Sequence, residues 1–299
     1  MKFYFLLFFL IVTAISAWQV FPTQAGDNIA PTIESVYLSS SANAKTDAYP
    51  GGTINDLVPG GALAIHINGV VEDLDGRDNI DKVNTIFYRS SVTGGLACTP
   101  DKNSCYRVNA CVLTDNANPN QKEYDCEILI QYFADSTDNG GNFPADSWFV
   151  FVKVEDVATE SDIDTTVTKE LQTILSLNIP SILDFGPFSL GDSTDTGTNI
   201  HYTITQYGND RADVEVSGSA MVCQNGQIPV GNQEWSLTDV AYGQGTDLTD
   251  SAVNTYIDIG YRTDDATELS KIIYWNLGVP ISGVVGTCNG MLTIDAVAH

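Results

Sequence analysis

The sequence predicts an all-β protein built as two tandem antiparallel sandwiches behind an export signal. Three observations carry that reading: short runs of strict apolar/polar alternation, the lack of any useful helix-period segment, and six cysteines that divide four and two. Cys98, Cys105, Cys111 and Cys126 fall in the first half, and Cys223 and Cys288 in the second.

Residues 1–17 read as a signal peptide. Lys2 supplies the positive start, Phe3 to Ala14 the apolar run, and Ala14-Ile15-Ser16-Ala17 the small-residue cleavage region. The run is shorter than the ~20 residues of a membrane span. Residues 18–27 form an N-terminal segment, and no membrane span is expected in the mature chain. An even cysteine count behind an export signal points to disulfides, and a separate even count in each half to two units that close their own bridges.

The first sandwich is expected over 28–158. Along Ala62 to Val71, residues Leu63, Ile65, Ile67, Gly69 and Val71 share one face. Cys126, Ile128, Ile130 and Tyr132 share another, and Trp148, Val150, Val152 and Val154 a third. The pattern pauses over the polar, acidic residues 159–173, expected to be a linker. The second sandwich, 174–299, shows strands at Ile200–Thr205, Asp213–Val216, Tyr256–Gly260, Lys271–Val279 and Thr287–Val297. Its strongest inward face is Ile273, Trp275, Leu277 and Val279. Strands without intervening helices suggest immunoglobulin-like or fibronectin-like sandwiches.

Four cysteines allow three pairings. Cys98 with Cys105 is favoured because a polar turn separates them, and Cys111 with Cys126 because they flank a hairpin tip at Asn116–Asn120. If each unit closes its own bridges, Cys223 pairs with Cys288. The absence of Cys-X2-Cys spacing argues against zinc.

The chain carries 38 acidic and 13 basic residues, a net charge of −25, and loss of the signal peptide deletes Lys2 but no acid. Such a surface repels phosphate backbones, so no nucleic-acid partner is expected. The chain has no Asn-X-Ser/Thr acceptor, which favours a prokaryotic source.

In the second half, Leu183-Asp184-Phe185-Gly186-Pro187-Phe188-Ser189-Leu190-Gly191 is followed by Tyr202-Thr203-Ile204-Thr205-Gln206-Tyr207-Gly208-Asn209-Asp210. This succession resembles the "DFG, then G, then N-x-G-N" opening of immunoglobulin-like domains in secreted and surface-layer prokaryotic proteins, with Gln206-Tyr207 in place of the usual Asn-Thr. Val154-Glu155-Asp156 is similar to the last strand of many such modules. The resemblance covers about half the chain, implies fold and surface context, and brings no catalytic residue with it.

Catalytic motifs are absent: there is no Gly-X-Ser-X-Gly, His-Glu-X-X-His or P-loop. His66 and His201 fall on outward strand positions and His299 is the last residue. With so many acids, glycosidase-like carboxylate pairs carry no information. The sharpest local feature is Glu72-Asp73-Leu74-Asp75-Gly76-Arg77-Asp78-Asn79-Ile80-Asp81, where Asp73, Asp75, Asp78 and Asp81 are candidate Ca²⁺ ligands, since a hard cation needs several converging oxygens. The competing reading is a turn with Gly76 at positive φ. Weaker acidic clusters lie at Asp135, Asp138, Asn139 and Asp146, and at Glu155, Asp156, Glu160, Asp162 and Asp164. Tyr106, Trp235 and Tyr242 are the loop aromatics placed to stack on sugar rings.

The function this supports is a secreted, non-enzymatic structural or adhesive protein of the cell envelope or extracellular space, acting on a surface or matrix partner, protein or glycan. The other readings are an extracellular carbohydrate-binding module and a secreted glycoside hydrolase.

Overall fold

The computed structural model describes residues 28–299, so the signal-peptide reading and the 18–27 segment lie outside the described residues. The chain is all-β. Its first ten strands are β1 (Thr32–Ser39), β2 (Thr53–Ile54), β3 (Ala62–Glu72), β4 (Ile80–Arg89), β5 (Cys105–Val108), β6 (Val112–Asp115), β7 (Gln121–Gln131), β8 (Trp148–Asp156), β9 (Ser161–Asp164) and β10 (Thr168–Leu171). They form two sheets, ordered β1-β3-β7-β6 and β2-β10-β8-β4-β5, with β9 also on β8. All ladders of this unit are antiparallel except the two-residue β2–β10 pairing.

The alternation read from sequence is what fills the space between these sheets. Ile65, Ile67, Ile128 and Ile130 from one sheet meet Phe87, Trp148, Val150, Val152 and Leu171 from the other, all buried. Period-two patterning puts every second side chain on the same face, so each strand delivers its apolar set inward. Trp148 stacks on Phe87 with centroids 4.7 Å apart, and its indole N–H donates to the Asp135 carbonyl at 2.9 Å. The buried ring thereby gains an aromatic neighbour and satisfies its polar atom.

The acidic stretch 159–173 is not a linker. Ser161–Asp164 pairs with Val152–Glu155 of β8, and Thr168 and Lys169 pair with Phe149 and Trp148 of the same strand. β9 is a polar edge on β8, where charge discourages further pairing, whereas β10 is held between β2 and β8 with Lys169 and Leu171 buried. The first unit therefore runs to about residue 172.

The second unit comprises β11 (Leu177–Asn178), β12 (Ile200–Gln206), β13 (Ala212–Gly218), β14 (Met221–Asn225), β15 (Gln227–Ile228), β16 (Gln233–Ser236), β17 (Thr246–Asp247), β18 (Val253–Asn254), β19 (Ser270–Leu277), β20 (Val285–Asn289) and β21 (Leu292–Ala298). A five-stranded sheet, β11-β12-β19-β16-β17, lies across a core from β18-β13-β21, and a small sheet β15-β14-β20 sits beside them. Tyr202, Ile204, Ile273 and Trp275 meet Val214 and Val216 in that core. Two strand expectations are corrected. Tyr256–Gly260 is irregular, with Tyr256 and Asp258 at φ 52° and 47° and a single bridge from Ile259 to Ala212. Thr287–Val297 divides at Gly290-Met291 into β20 and β21.

All three bridges form as favoured: Cys98–Cys105, Cys111–Cys126 and Cys223–Cys288. The β6–β7 register, with Val112 opposite Asp125, sets Cys111 across from Cys126, and Cys223 stands directly opposite Cys288 on β20.

Candidate functional site: a joint at one end and a groove at the other

The residues predicted as Ca²⁺ ligands do not converge. Asp73 is buried and accepts from the Asp75 amide at 2.8 Å, while Asp75 accepts from the Ile29 amide at 2.7 Å. Asp78 and Asp81 are exposed, and Arg77 reaches to the Asn116 carbonyl and to Asp115. Gly76 takes φ 111°, so the segment is a turn in which Asp73 caps the Asp75 amide and Asp75 is taken up by the Ile29 amide. Among the described residues no group of three or more His, Cys, Asp or Glu side chains is placed to hold a metal ion.

The other acidic clusters are likewise committed to internal donors. Asp135 and Asp146 both pair with Arg89, and Asp138 accepts from the amide of Thr173 at 3.1 Å and from its hydroxyl. Burial pushes the Asp135 carboxyl above the usual range, partly offset by Arg89. Asp156 accepts from the Ala158 and Glu160 amides, Asp162 from Ile33, and Glu155 pairs with Lys82 and Lys153.

No sugar-stacking platform forms from the loop aromatics. Tyr106 packs inside the first core beside Phe87 and Trp148, and Trp235 inside the second. Tyr242 is half-buried over Gly278, whose lack of a side chain makes room for the ring. His66 lies on the outer face of β3, where its Nδ1 stands 3.0 Å from Asp125.

What the structure does build is a joint that sequence reading passed over. Asn209 sits in the turn after β12 and is fully buried. Its Nδ2 donates to the carbonyls of Ala134 (3.1 Å) and Gln172 (3.0 Å), and its Oδ1 accepts from the Ile174 amide (2.7 Å). Around it, Gly60 donates to the Tyr207 carbonyl, Arg262 donates to the Tyr132 hydroxyl with its guanidinium 4.8 Å from the Phe133 ring, and Lys102 pairs with Asp265. Buried amide bonding of this kind fixes orientation, because each partner would otherwise be desolvated and unpaired.

At the opposite end lies a groove of about 980 Å³. β12 runs toward the joint and β19 away from it, with Thr205 opposite Ser270 and Ile200 opposite Trp275. Leu277 and Val279 at the far end therefore belong to the end remote from Asn209. With Ile228 and Val284 they line the groove beside the Cys223–Cys288 bridge, and the extended segment 182–190 forms its wall through Phe185 and Phe188. The DFG-like motif thus lies in this wall. Apolar side chains stay outside: Ile182 is 76% exposed at the rim and Ile281, beside Gly191, 85%. A concentration of exposed aliphatics around a concave surface is the usual mark of a contact surface.

No family model matches the chain and no curated protein sequence matches it. Among solved structures it is similar to a chain in the crystal structure of the CsuC–CsuE chaperone–tip adhesion subunit pre-assembly complex from archaic chaperone-usher Csu pili of Acinetobacter baumannii. Identity is 11% over 89% of this chain and 99% of that chain, with a TM-score of 0.36. That score lies below the level at which a shared topology follows. No described helix is long and apolar enough to cross a membrane.

Proposed function

We propose that this chain is a non-catalytic extracellular protein of structural or adhesive type that holds a contact surface at its distal end. The observation that carries the reading is the pairing of a buried polar joint with an apolar groove at the other end of the same sandwich. A fixed joint transmits orientation, and the groove offers what is to be oriented. Three disulfides suit an oxidising compartment, and the acidic surface keeps such a chain apart from its neighbours. The apolar rim favours a protein partner over a glycan.

The test combines location with a rim variant. Fractionation of producing cells should place the protein in the envelope or on the surface. Ile182→Asp with Ile281→Asp should release it while leaving the melting temperature nearly unchanged, because both side chains already face water. Attachment unaffected by rim charge, or turnover of a substrate abolished by one substitution, would overturn the reading. Saturable glycan binding that survives the rim variant would favour the carbohydrate-binding module.

A further inference from the structure

The outer face of the five-stranded sheet carries a polar row. Glu234 on β16 stands opposite Asn276 on β19. Ile200 stands opposite Trp275, so the next step of that ladder sets Asn199 beside Asn276 on its other side. Cross-strand neighbours on one face lie about 5 Å apart. Asn276 is fully buried, Glu234 is 4% exposed and Asn199 is half-buried.

The loop 237–245 closes over this row and fixes how each side chain is turned. The Nδ2 groups of Asn199 and Asn276 both donate to the Val240 carbonyl, at 2.6 and 3.1 Å, and Asn199 also donates to Asp239 at 2.7 Å. Carbonyls and carboxylates only accept, so the amide nitrogens must be the atoms on that side. The two Oδ1 atoms are left buried with no partner. Glu234 accepts from the Gly243 and Gly245 amides and Asp239 also from the Gly197 amide, at 2.9 Å, and neither forms an ion pair with a described residue.

We propose that this row binds a hard divalent cation such as Ca²⁺, held by the amide oxygens of Asn199 and Asn276 with the carboxylates of Asp239 and Glu234, and locking the 237–245 loop. Hard cations take oxygen ligands, amide and carboxylate alike, and complete their shell with water. Two unpartnered amide oxygens beside two carboxylates supply that chemistry. A single buried water bonded to both amide oxygens is the rival occupant. It leaves the two carboxylates hydrogen-bonded but without a cation.

The test uses the full mature chain with its bridges formed. Calorimetric titration with Ca²⁺ should show one saturable site with Kd on the order of 10⁻⁴ to 10⁻³ M, as in extracellular modules. Hydrogen exchange of the 237–245 amides should slow on adding Ca²⁺ and recover with chelator. Asn276→Leu should weaken binding at least ~10-fold, the scale on which a metal site loses affinity when a supporting group is removed. Asn199→Ala, at a half-buried position, should do the same if the first variant fails to fold. No saturable heat, binding unchanged in Asn199→Ala, or protection confined to another segment such as Glu72–Asp81 would each overturn the site. A water-only occupant would show as loop protection and melting temperature independent of Ca²⁺.

Discussion

Asn209, at the end of the second sandwich, donates from its Nδ2 to the main-chain carbonyl of Ala134 in the first, at 3.1 Å and out of contact with water. Ala134 lies just beyond β7, and Gln172, the other acceptor, just beyond β10, so one side chain ties the ends of two sheets of the first unit to the turn after β12. A flexible tether would not need such a residue.

Asn209→Ala removes both donors and the acceptor for the Ile174 amide, leaving three main-chain groups unpaired. Each buried unpaired group costs about 1–3 kcal/mol, so a loss of about 3 kcal/mol or more is expected where water cannot enter. Because the residue spans two units, the variant should also lose cooperativity. Scanning calorimetry should show one transition for the parent chain and two for Asn209→Ala. A single transition retained at the parent temperature would show that the joint does not couple the units.

Arg89→Met tests the buried charges of the first unit. Arg89 donates through Nε to Asp135 at 2.7 Å and also pairs with Asp146, and all three are largely buried. Removing the cation strands a carboxylate, at a cost of about 3–5 kcal/mol near neutral pH. The sign with pH follows from Asp135, whose carboxyl burial already holds above its usual range. Without Arg89 it rises further and protonates earlier, relieving the stranded charge. Asp146 shifts the same way: burial would raise it, but bonds from Ser91, Ser90 and Arg89 now hold it low. Urea denaturation at about pH 7 and about pH 4 should therefore show the deficit narrowing in acid. A deficit that widens in acid would contradict it.

Asp101 sets the turn closed by Cys98–Cys105. Its Oδ1 accepts from the amides of Asn103, Ser104 and Cys105, and its Oδ2 from the Ser104 hydroxyl. Burial alone would raise this carboxyl, but those bonds outweigh it and hold the group below its ordinary value. A depressed carboxyl contributes stability above the unfolded value near 3.9 and loses it as pH falls through the folded value. Asp101→Ala should cost about 1 kcal/mol at neutral pH, the scale of a lost helix cap, since the residue is partly open to solvent. Below about pH 4 parent and variant stability should converge. Divergence there would exclude the bonds as the source.

The strands and bridges were legible because their signals are local. Cys111 and Cys126 flank a hairpin tip, and Ile273, Trp275 and Leu277 alternate along one strand, so neighbours in sequence suffice. Residues 159–173 misled because short polar strands share the composition of a linker, and only their pairing with β8 and β2 distinguishes them. Asp73 and Asp75 matched a cation-loop pattern, but such a pattern does not tell carboxylates taken up by main-chain amides from carboxylates that converge. Asn209 read as an ordinary Gly-Asn turn, and Asn276 as the outward residue between two inward ones. Each acquires its role from the register of a distant segment, and alternation within one strand carries no register.

The Cys223–Cys288 bridge closes the longest of the three loops, with a sequence separation of 65, and lies beside the distal groove. Loop-closure entropy for that length gives about 4 kcal/mol, more than for the bridges that span 7 and 15 residues. The double variant Cys223→Ala, Cys288→Ala should therefore lower the stability of the second unit by about that amount. The groove supplies a local readout. Phe188 and Met221 pack on the cluster containing Cys223, and segment 182–190 has no ladder of its own to hold it in place. Loosening β14 against β20 should expose that segment first, so limited proteolysis should cut within 182–190 before any site in residues 28–172. Cleavage that begins in the first unit would show that the bridge does not hold the groove wall.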